Sequence, residues 1–419
     1  MHSDILLETD DVAISDFQSH DSTIRQIHKG IHDLEKLGQM PFLEVSHQHE
    51  HIQDILTLVE QKKQDFDTLL VLGIGGSALG TRFLIESLAY KNLSRFVLCD
   101  HVDPDSWHLL QETLDFKKTL IVVVSKSGRT IETLAAFVYF QNILKQRVAD
   151  YQKHFLIITD PREGILRKLA QEEGFASLEV PSGVGGRYSV LTSVGLFPAA
   201  FLNVDIQTLL LGGKRMIERC QHADPWTNLA LLSALIHWEH AKKGRKMRAM
   251  FPYGERLKSF APWFAQLWAE SLGKKYSLKG DVIHTGTTAL CNLGPADQHS
   301  QLQLYLEGPD DKVVTFIGVE NPQCRIHLPE TPLVTNGIPL RNLSISALQS
   351  AERQATEQAL SDVGRPHQTI LLRHVDPYTV GQLILMAELE TVYSGALYDI
   401  NPFDQPAVEL IKKNIPNFI

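Results

Sequence analysis

Four apolar runs restrict the fold of this chain more than any other feature. Thr68-Leu69-Leu70-Val71-Leu72 stops at Gly73, and Arg95-Phe96-Val97-Leu98-Cys99, Leu120-Ile121-Val122-Val123-Val124 and Phe155-Leu156-Ile157-Ile158-Thr159 follow it. A strand that is apolar at every position must be covered on both faces. Helical stretches such as Ile131 to Lys145 separate the runs, which is the pattern of a parallel sheet with helices on either side. A long amphipathic segment, Pro225 to Lys243, opens a second series, with strands expected at Met247 to Phe251, Val313 to Val319 and Thr369 to Leu372. Asp376 to Tyr393 reads as a long helix and the tail from Pro406 as a last one. Strand–helix units thus occur twice, without a clean sequence repeat. Residues 1 to about 65 are rich in charge, lack strand-like runs, and are read as helices and loops.

The chain has 419 residues, 43% hydrophobic and 21% charged, enough for two or three domains with large cores. Its net charge of −9 argues against a nucleic-acid binder, because phosphate backbones attract basic faces. A small anionic substrate stays open, since local basic groups set the field in a cleft. The four cysteines, Cys99, Cys220, Cys291 and Cys324, form no Cys-x-x-Cys pair and suit a reducing compartment. No signal peptide or membrane span is read, so a cytoplasmic protein is expected.

Two loops follow strands and carry binding chemistry. Ser125-Lys126-Ser127-Gly128-Arg129-Thr130 combines hydroxyls, cations and a glycine directly before a helix. Backbone N–H groups there, with the helix dipole, suit a phosphate monoester, and Lys126 or Arg129 adds charge. The same residue types also make an ordinary N-cap. Gly73-Ile74-Gly75-Gly76-Ser77-Ala78-Leu79-Gly80 lacks the Gly-Lys-Ser/Thr ending of a P-loop. Gly73, Gly75 and Ala78 do fit G-x-G-x-x-A, with Asp100 at the end of the next strand where a ribose-binding acid belongs. A nicotinamide-dependent oxidoreductase is therefore one reading. The hydroxyl of Ser77 and the second polar loop favour the other, in which two loops converge on one sugar phosphate.

Further along, Pro262 to Ser271 reads as a helix with Gln266 and Glu270 on one face. Leu267, Trp268 and Ala269 are expected to wall Glu270 off from water and make it a better base; the alternative is an exposed Glu270–Lys274 pair. Gly185-Gly186-Arg187-Tyr188-Ser189 presents an arginine suited to a developing oxyanion, or to a surface ion pair. His299 follows the turn Gly294-Pro295-Ala296-Asp297-Gln298, and Lys412 lies in the last helix; alone, each reads as structural or solvated. His47-Gln48-His49-Glu50-His51 is the one metal-like cluster, and it lacks His-Glu-x-x-His spacing, so no metal is expected.

Taken in order, these segments resemble the glucose-6-phosphate isomerase (phosphoglucose isomerase) family, in its shorter bacterial form. Gly73 to Ser77 and Ser125 to Thr130 resemble its two sugar-phosphate loops, Gly185 to Ser189 its arginine segment, and Gln266 to Lys274 its base-bearing helix. Asp297-Gln298-His299 resembles its histidine turn and Asn401 to Lys412 its C-terminal segment. The resemblance implies two sugar-isomerase (SIS-type) domains, each a flavodoxin-like parallel sheet in an αβα sandwich: 1–50 as an N-terminal helical segment, 51–205 and 206–400 as the domains, and 401–419 as a helix completing the site. It implies reversible isomerisation of glucose 6-phosphate to fructose 6-phosphate without a cofactor, with Glu270, Arg187, His299 and Lys412 catalytic. Gly76, Ser77, Ser125, Lys126, Ser127, Thr130, Gln266 and Gln405 would bind substrate. It also implies a homodimer in which His299 serves the neighbouring subunit, and neither nucleic-acid nor membrane partners. A non-catalytic sugar-phosphate sensor is the other member of this fold group to weigh. The chain departs from the family pattern at Arg129, at Pro295-Ala296-Asp297 and at Ile411, and Lys413 beside Lys412 leaves two choices for the catalytic lysine.

Overall fold

The computed structural model describes residues 4–9, 21–47 and 49–419. Two compact units emerge, Asp33–Lys214 and the described part of Met1–His32 with Arg215–Ile419. Strand β1 (Ile5–Glu8) opens the chain and belongs to the second unit. The first unit holds β2 (Thr68–Leu72), β3 (Phe96–Cys99), β4 (Thr119–Ser125), β5 (Phe155–Thr159) and β6 (Ala176–Glu179). They form one sheet in the order β3-β2-β4-β5-β6, every pair parallel. Counted along the chain this is order 2-1-3-4-5, the flavodoxin-like arrangement, whose switch point lies between β2 and β4.

Both faces of this sheet are covered, as the apolar runs require. Leu70, Leu72, Ile121, Val123, Phe155 and Ile157 pack against Phe137, Phe140 and Leu144 of the helix Ile131–Arg147. The alternate residues Leu69, Val71, Leu120, Val122 and Val124 are equally buried. The adjoining helices Leu79–Leu88 and Ser193–Phe201 pack on each other, tied by Thr81 Oγ1 donating to Val194 O at 2.9 Å.

The second unit repeats the topology. Its strands are β7 (Met247–Pro252), the hairpin β8 (Lys274–Tyr276) and β9 (Val282–Thr285), β10 (Thr288–Cys291), β11 (Lys312–Val319), the hairpin β12 (Val334–Thr335) and β13 (Ile338–Pro339), and β14 (His367–Leu372). The main sheet runs β10-β7-β11-β14 in parallel, again order 2-1-3-4, and β1 closes its edge antiparallel to β14. The protein therefore contains two parallel sheets flanked by helices, in agreement with the expected α/β class.

Three sequence readings change. The N-terminal region is not purely helix and loop, because Ile5–Glu8 pairs with Thr369–Leu372. The segment read as amphipathic forms the helix Leu229–Lys242, buried all round from Leu229 to His237. Its polar residues Ser233 and His237 face a buried network rather than water. The helix Pro377–Leu397 is longer than expected; Asp376 caps it by accepting from Thr379 N at 2.8 Å, and every residue from Thr379 to Gly395 is buried.

Candidate active site

At the switch point of the first sheet, Leu72 stands in register with Val123. The loops after β2 and β4 therefore leave neighbouring strands, about 4.8 Å apart, at nearly the same level. The first loop must bend sharply, and Gly75 does so with φ +58°. Gly76 is needed for a different reason. A Cβ there would overlap the Gly186 carbonyl and stand 2.7 Å from Arg187 N. The first loop and the arginine turn thus touch backbone to backbone. Ser189 Oγ fastens the contact, with Gly186 O at 2.7 Å and Gly76 O at 3.4 Å. Arg187 sits on the short turn Gly186–Tyr188 and is only 3% exposed, its guanidinium 5.5 Å from the Tyr188 ring centre. Ser77 is half-buried beside Gly76 in sequence.

The second loop is folded by its own hydroxyls. Ser125 Oγ and Thr130 Oγ1 lie 3.0 Å apart, Gly128 N donates to Ser125 O at 3.1 Å, and Arg129 N donates to Ser127 Oγ at 3.2 Å. Gly128 has φ +60° and packs on Gly164, a partner that the sequence reading missed. Thr130 is the extended residue before the helix Ile131–Arg147, yet its hydroxyl makes no cap to that helix. The first-turn N–H groups keep no side-chain acceptor from Thr130, which suits them to an anion. Ser125 is buried, Lys126 and Thr130 are half-buried, and Ser127 and Arg129 are exposed. Burial pulls the Lys126 ammonium below the usual lysine range, and the carboxylate of Asp160 opposes that. Arg129, the residue that departs from the family pattern, does not crowd the loop interior. Asp100 pairs with Arg82 at 2.8 Å and with His101 at 3.1 Å, so it is not held ready for a ribose.

In the second unit, the helix Phe260–Leu272 follows β7. Gln266 Nε2 donates to Glu270 Oε1 at 2.9 Å, as their four-residue spacing predicts. Gln266 Oε1 is buried and has no partner. Leu267 and Trp268 point into the core while Ala269 is exposed, so these neighbours do not enclose Glu270 as expected. Successive helical residues diverge by about 100°, and only one of three can flank a given face. Glu270 instead borders a cleft of about 810 Å³ shared with Lys274, Leu278, Asn401, Asp404 and Gln405. Lys274, which the sequence offers only as the partner of Glu270 in an exposed ion pair, is buried and caps the helix end. Its Nζ donates to Glu270 O at 2.7 Å and Ser271 O at 2.8 Å and lies 3.6 Å from Asp404. A cation just past the last helical turn was the available signal.

His299 ends the turn Ala296–His299 and is exposed. Asp297 shapes this turn, accepting from Leu293 N at 2.7 Å and from Ser300 Oγ at 2.6 Å. Lys412 is exposed and pairs with Glu409 at 2.6 Å; Lys413 is exposed beside it. Neither His299 nor Lys412 borders the Glu270 cleft. Of the histidine cluster, Gln48 and the side chains of His47, His49 and Glu50 lie outside the described residues. His51 Nε2 is 2.8 Å from Ser193 Oγ. Among the described residues, no group of three or more His, Cys, Asp or Glu could hold a metal, and no helix is long and apolar enough to cross a membrane.

Two parallel sheets of this strand order, with a hydroxyl-bearing loop pair at the switch point of the first, define an α/β protein of the sugar-isomerase-domain class. Residues 44–417 match the family described as phosphoglucose isomerase. A glucose-6-phosphate isomerase of Carboxydothermus hydrogenoformans is 39% identical over 389 residues, covering 90% of this chain and 84% of that protein. A crystal structure of a hypothetical protein from Thermus thermophilus superposes with TM-score 0.91 at 34% identity, covering 98% of this chain and 99% of that one. A glucose-6-phosphate isomerase from Chlamydia trachomatis shares the fold, with TM-score 0.88 at 21% identity over 100% of this chain and 89% of its own. The chain belongs to the phosphoglucose isomerase family.

The Gly76 contact yields a direct test. Gly76→Ala forces the first loop off the arginine turn and should lower unfolding free energy by about 1–3 kcal/mol in urea titration. Wild-type stability in this variant would show that the two backbones are not held together.

Proposed function

We propose that this chain interconverts D-glucose 6-phosphate and D-fructose 6-phosphate, a step of glycolysis and gluconeogenesis. The observation that carries the site assignment is the Gln266–Glu270 hydrogen bond, which holds Glu270 on the cleft wall while the buried Gln266 oxygen keeps no partner of its own. Glu270 takes the C2 proton of the open-chain aldose and returns it to C1 through a cis-enediol(ate). One carboxylate serves both carbons because they are neighbours. Gln266 orients Glu270 and the substrate. Arg187 stabilises the charge that builds on the enediolate oxygens. His299, with Lys412, moves the proton between the ring oxygen and the anomeric hydroxyl during ring opening.

Gly76, Ser77, Ser125, Ser127 and Thr130 hold the 6-phosphate, with Lys126 supplying charge and Gln405 a further polar contact. Phosphate binding then positions the C1–C2 unit. In the same reading the chemistry needs no cofactor, residues 51–205 and 206–400 are the two sugar-isomerase domains, 1–50 is an N-terminal helical segment that also lends β1 to the second sheet, and 401–419 is the completing helix. The exposure of His299 suits a homodimer that offers it to a neighbouring copy, and a cytoplasmic setting suits a sugar-phosphate enzyme. Against the oxidoreductase reading stands the engagement of Asp100 by Arg82; against a sensor stands the built Gln266–Glu270 pair.

Three variants check these roles in a coupled isomerase assay. Glu270→Gln keeps the shape and removes the base, so kcat should fall about 10²–10⁴-fold with a modest change in KM; near-normal turnover would refute the assignment. His299→Ala should slow closed-ring substrate far more than an open-chain analogue, and equal losses on both reject the ring-opening role. Thr130→Val should raise KM without lowering the unfolding midpoint; an unchanged KM places the phosphate elsewhere.

A further inference from the structure

Beneath the helix Phe260–Leu272 lies a buried ion pair that no step above uses. Arg248 on β7 and Glu390 on the helix Pro377–Leu397 are 2.6 Å apart, with side chains 1% and 2% exposed. Ser233 Oγ donates to Glu390 Oε1 at 2.5 Å, and Gln368 Nε2 donates to Ser233 Oγ at 2.8 Å. Thr315 Oγ1 lies 3.3 Å from His237 Nε2, and burial, with the Arg248 charge nearby, holds that imidazole well below its usual range. A buried pair of this kind is seldom needed for stability, because desolvation offsets most of its attraction. Its geometry gives a better reason for its presence. The Arg248 guanidinium lies 4.5 Å from the Phe264 ring centre and 4.8 Å from that of Trp268.

Phe260, Phe264 and Trp268 form a stacked ladder along the inner stripe of the helix, with ring centres 6.0 and 5.3 Å apart. Trp268 is held in two further ways: His237 stands edge-on at 6.1 Å, and Trp268 Nε1 donates to Thr287 Oγ1 at 2.7 Å. Gln266 and Glu270 each follow a ladder residue by two positions, about 200° around the helix, so they present the opposite face. Any rotation of the ladder swings that face by the same angle. We propose that the Arg248–Glu390 pair and the Trp268–Thr287 hydrogen bond act as a clamp that fixes the rotation of this helix and so aims the Glu270 carboxylate and the Gln266 amide. These are positioning residues: they touch no substrate. The inference rests on Glu270 being the base.

The test separates aim from stability. Arg248→Met with Glu390→Gln removes both charges together, leaving no buried charge unpaired. Thr287→Val is a milder second probe that takes the acceptor from the indole. Both should retain the wild-type circular dichroism spectrum and an unfolding midpoint within a few degrees. Their kcat should fall about 10- to 100-fold while KM stays within about twofold, since a displacement near 1 Å at the reacting group has that effect. Thr287→Ser, which restores the hydroxyl, should recover kcat. Wild-type kcat in Thr287→Val and in a folded double variant overturns the clamp, as does a loss of kcat in Thr287→Val that serine does not restore. Glu270→Gln assayed alongside keeps the two ideas apart. If it is inactive while the clamp variants are normal, the clamp alone fails; if it is fully active, the base assignment fails and takes the clamp with it.

Discussion

The parallel register of β2 against β4 is the constraint on which the proposed phosphate site depends. Hydrogen bonding fixes Leu72 opposite Val123, and the chain then leaves both strands at the same end of the sheet, β4 two residues further on than β2. Two loops that are 52 residues apart in sequence, counting from Gly73 to Ser125, become neighbours without any contact of their own being required. What the loops then need is small residues and hydroxyls. Side chains that filled the crevice would block the approach of the third segment, Gly186–Tyr188, to Gly76, and with it the space proposed for the phosphate. The composition of these loops follows from the topology as much as from the ligand.

The second sheet keeps the topology and changes the interior. In the first sheet the central strands bury apolar side chains on both faces. In the second, Arg248, Thr315 and Gln368 come from three neighbouring strands and meet Ser233, His237 and Glu390 from two helices in one buried polar network. Burying so many polar groups is unfavourable unless they satisfy one another, and here most do. Such a network tolerates few alternative packings, whereas an apolar core accepts many. That difference falls under the helix that carries Glu270, the proposed base.

How much of this was legible in the sequence follows from the same physics. Strands buried on both faces announce themselves, and β2, β4, β5, β7, β11 and β14 begin and end within two residues of the apolar runs that predict them. β1 and β6 are four residues each and half-exposed, too short to show a period. The helix Leu229–Lys242 reads as amphipathic because Ser233 and His237, four residues apart, imitate a wet face, when they point at buried partners. The Gln266–Glu270 hydrogen bond was legible because it is local. The contact of Gly76 with Gly186 was not, because nothing in either segment records a partner 110 residues away.

The assigned catalytic groups also divide by what holds them. Arg187 is nearly buried, and Glu270 and Gln266 are set in a helix whose other face is packed solid. A group that must meet developing charge without reorganising needs that rigidity. His299 and Lys412 sit instead on a short turn and on the six-residue helix Glu409–Asn414, both exposed. Exposed, short elements carry little packing energy and fix their side chains poorly on their own. In the proposed role as a proton shuttle, they would need substrate or, for His299, a second copy of the chain to cover and fix them. On the proposed assignment, the fold's own core holds the base and the oxyanion partner, while the two ring-opening groups lie on the surface, where the proposed dimer would place a second copy against His299.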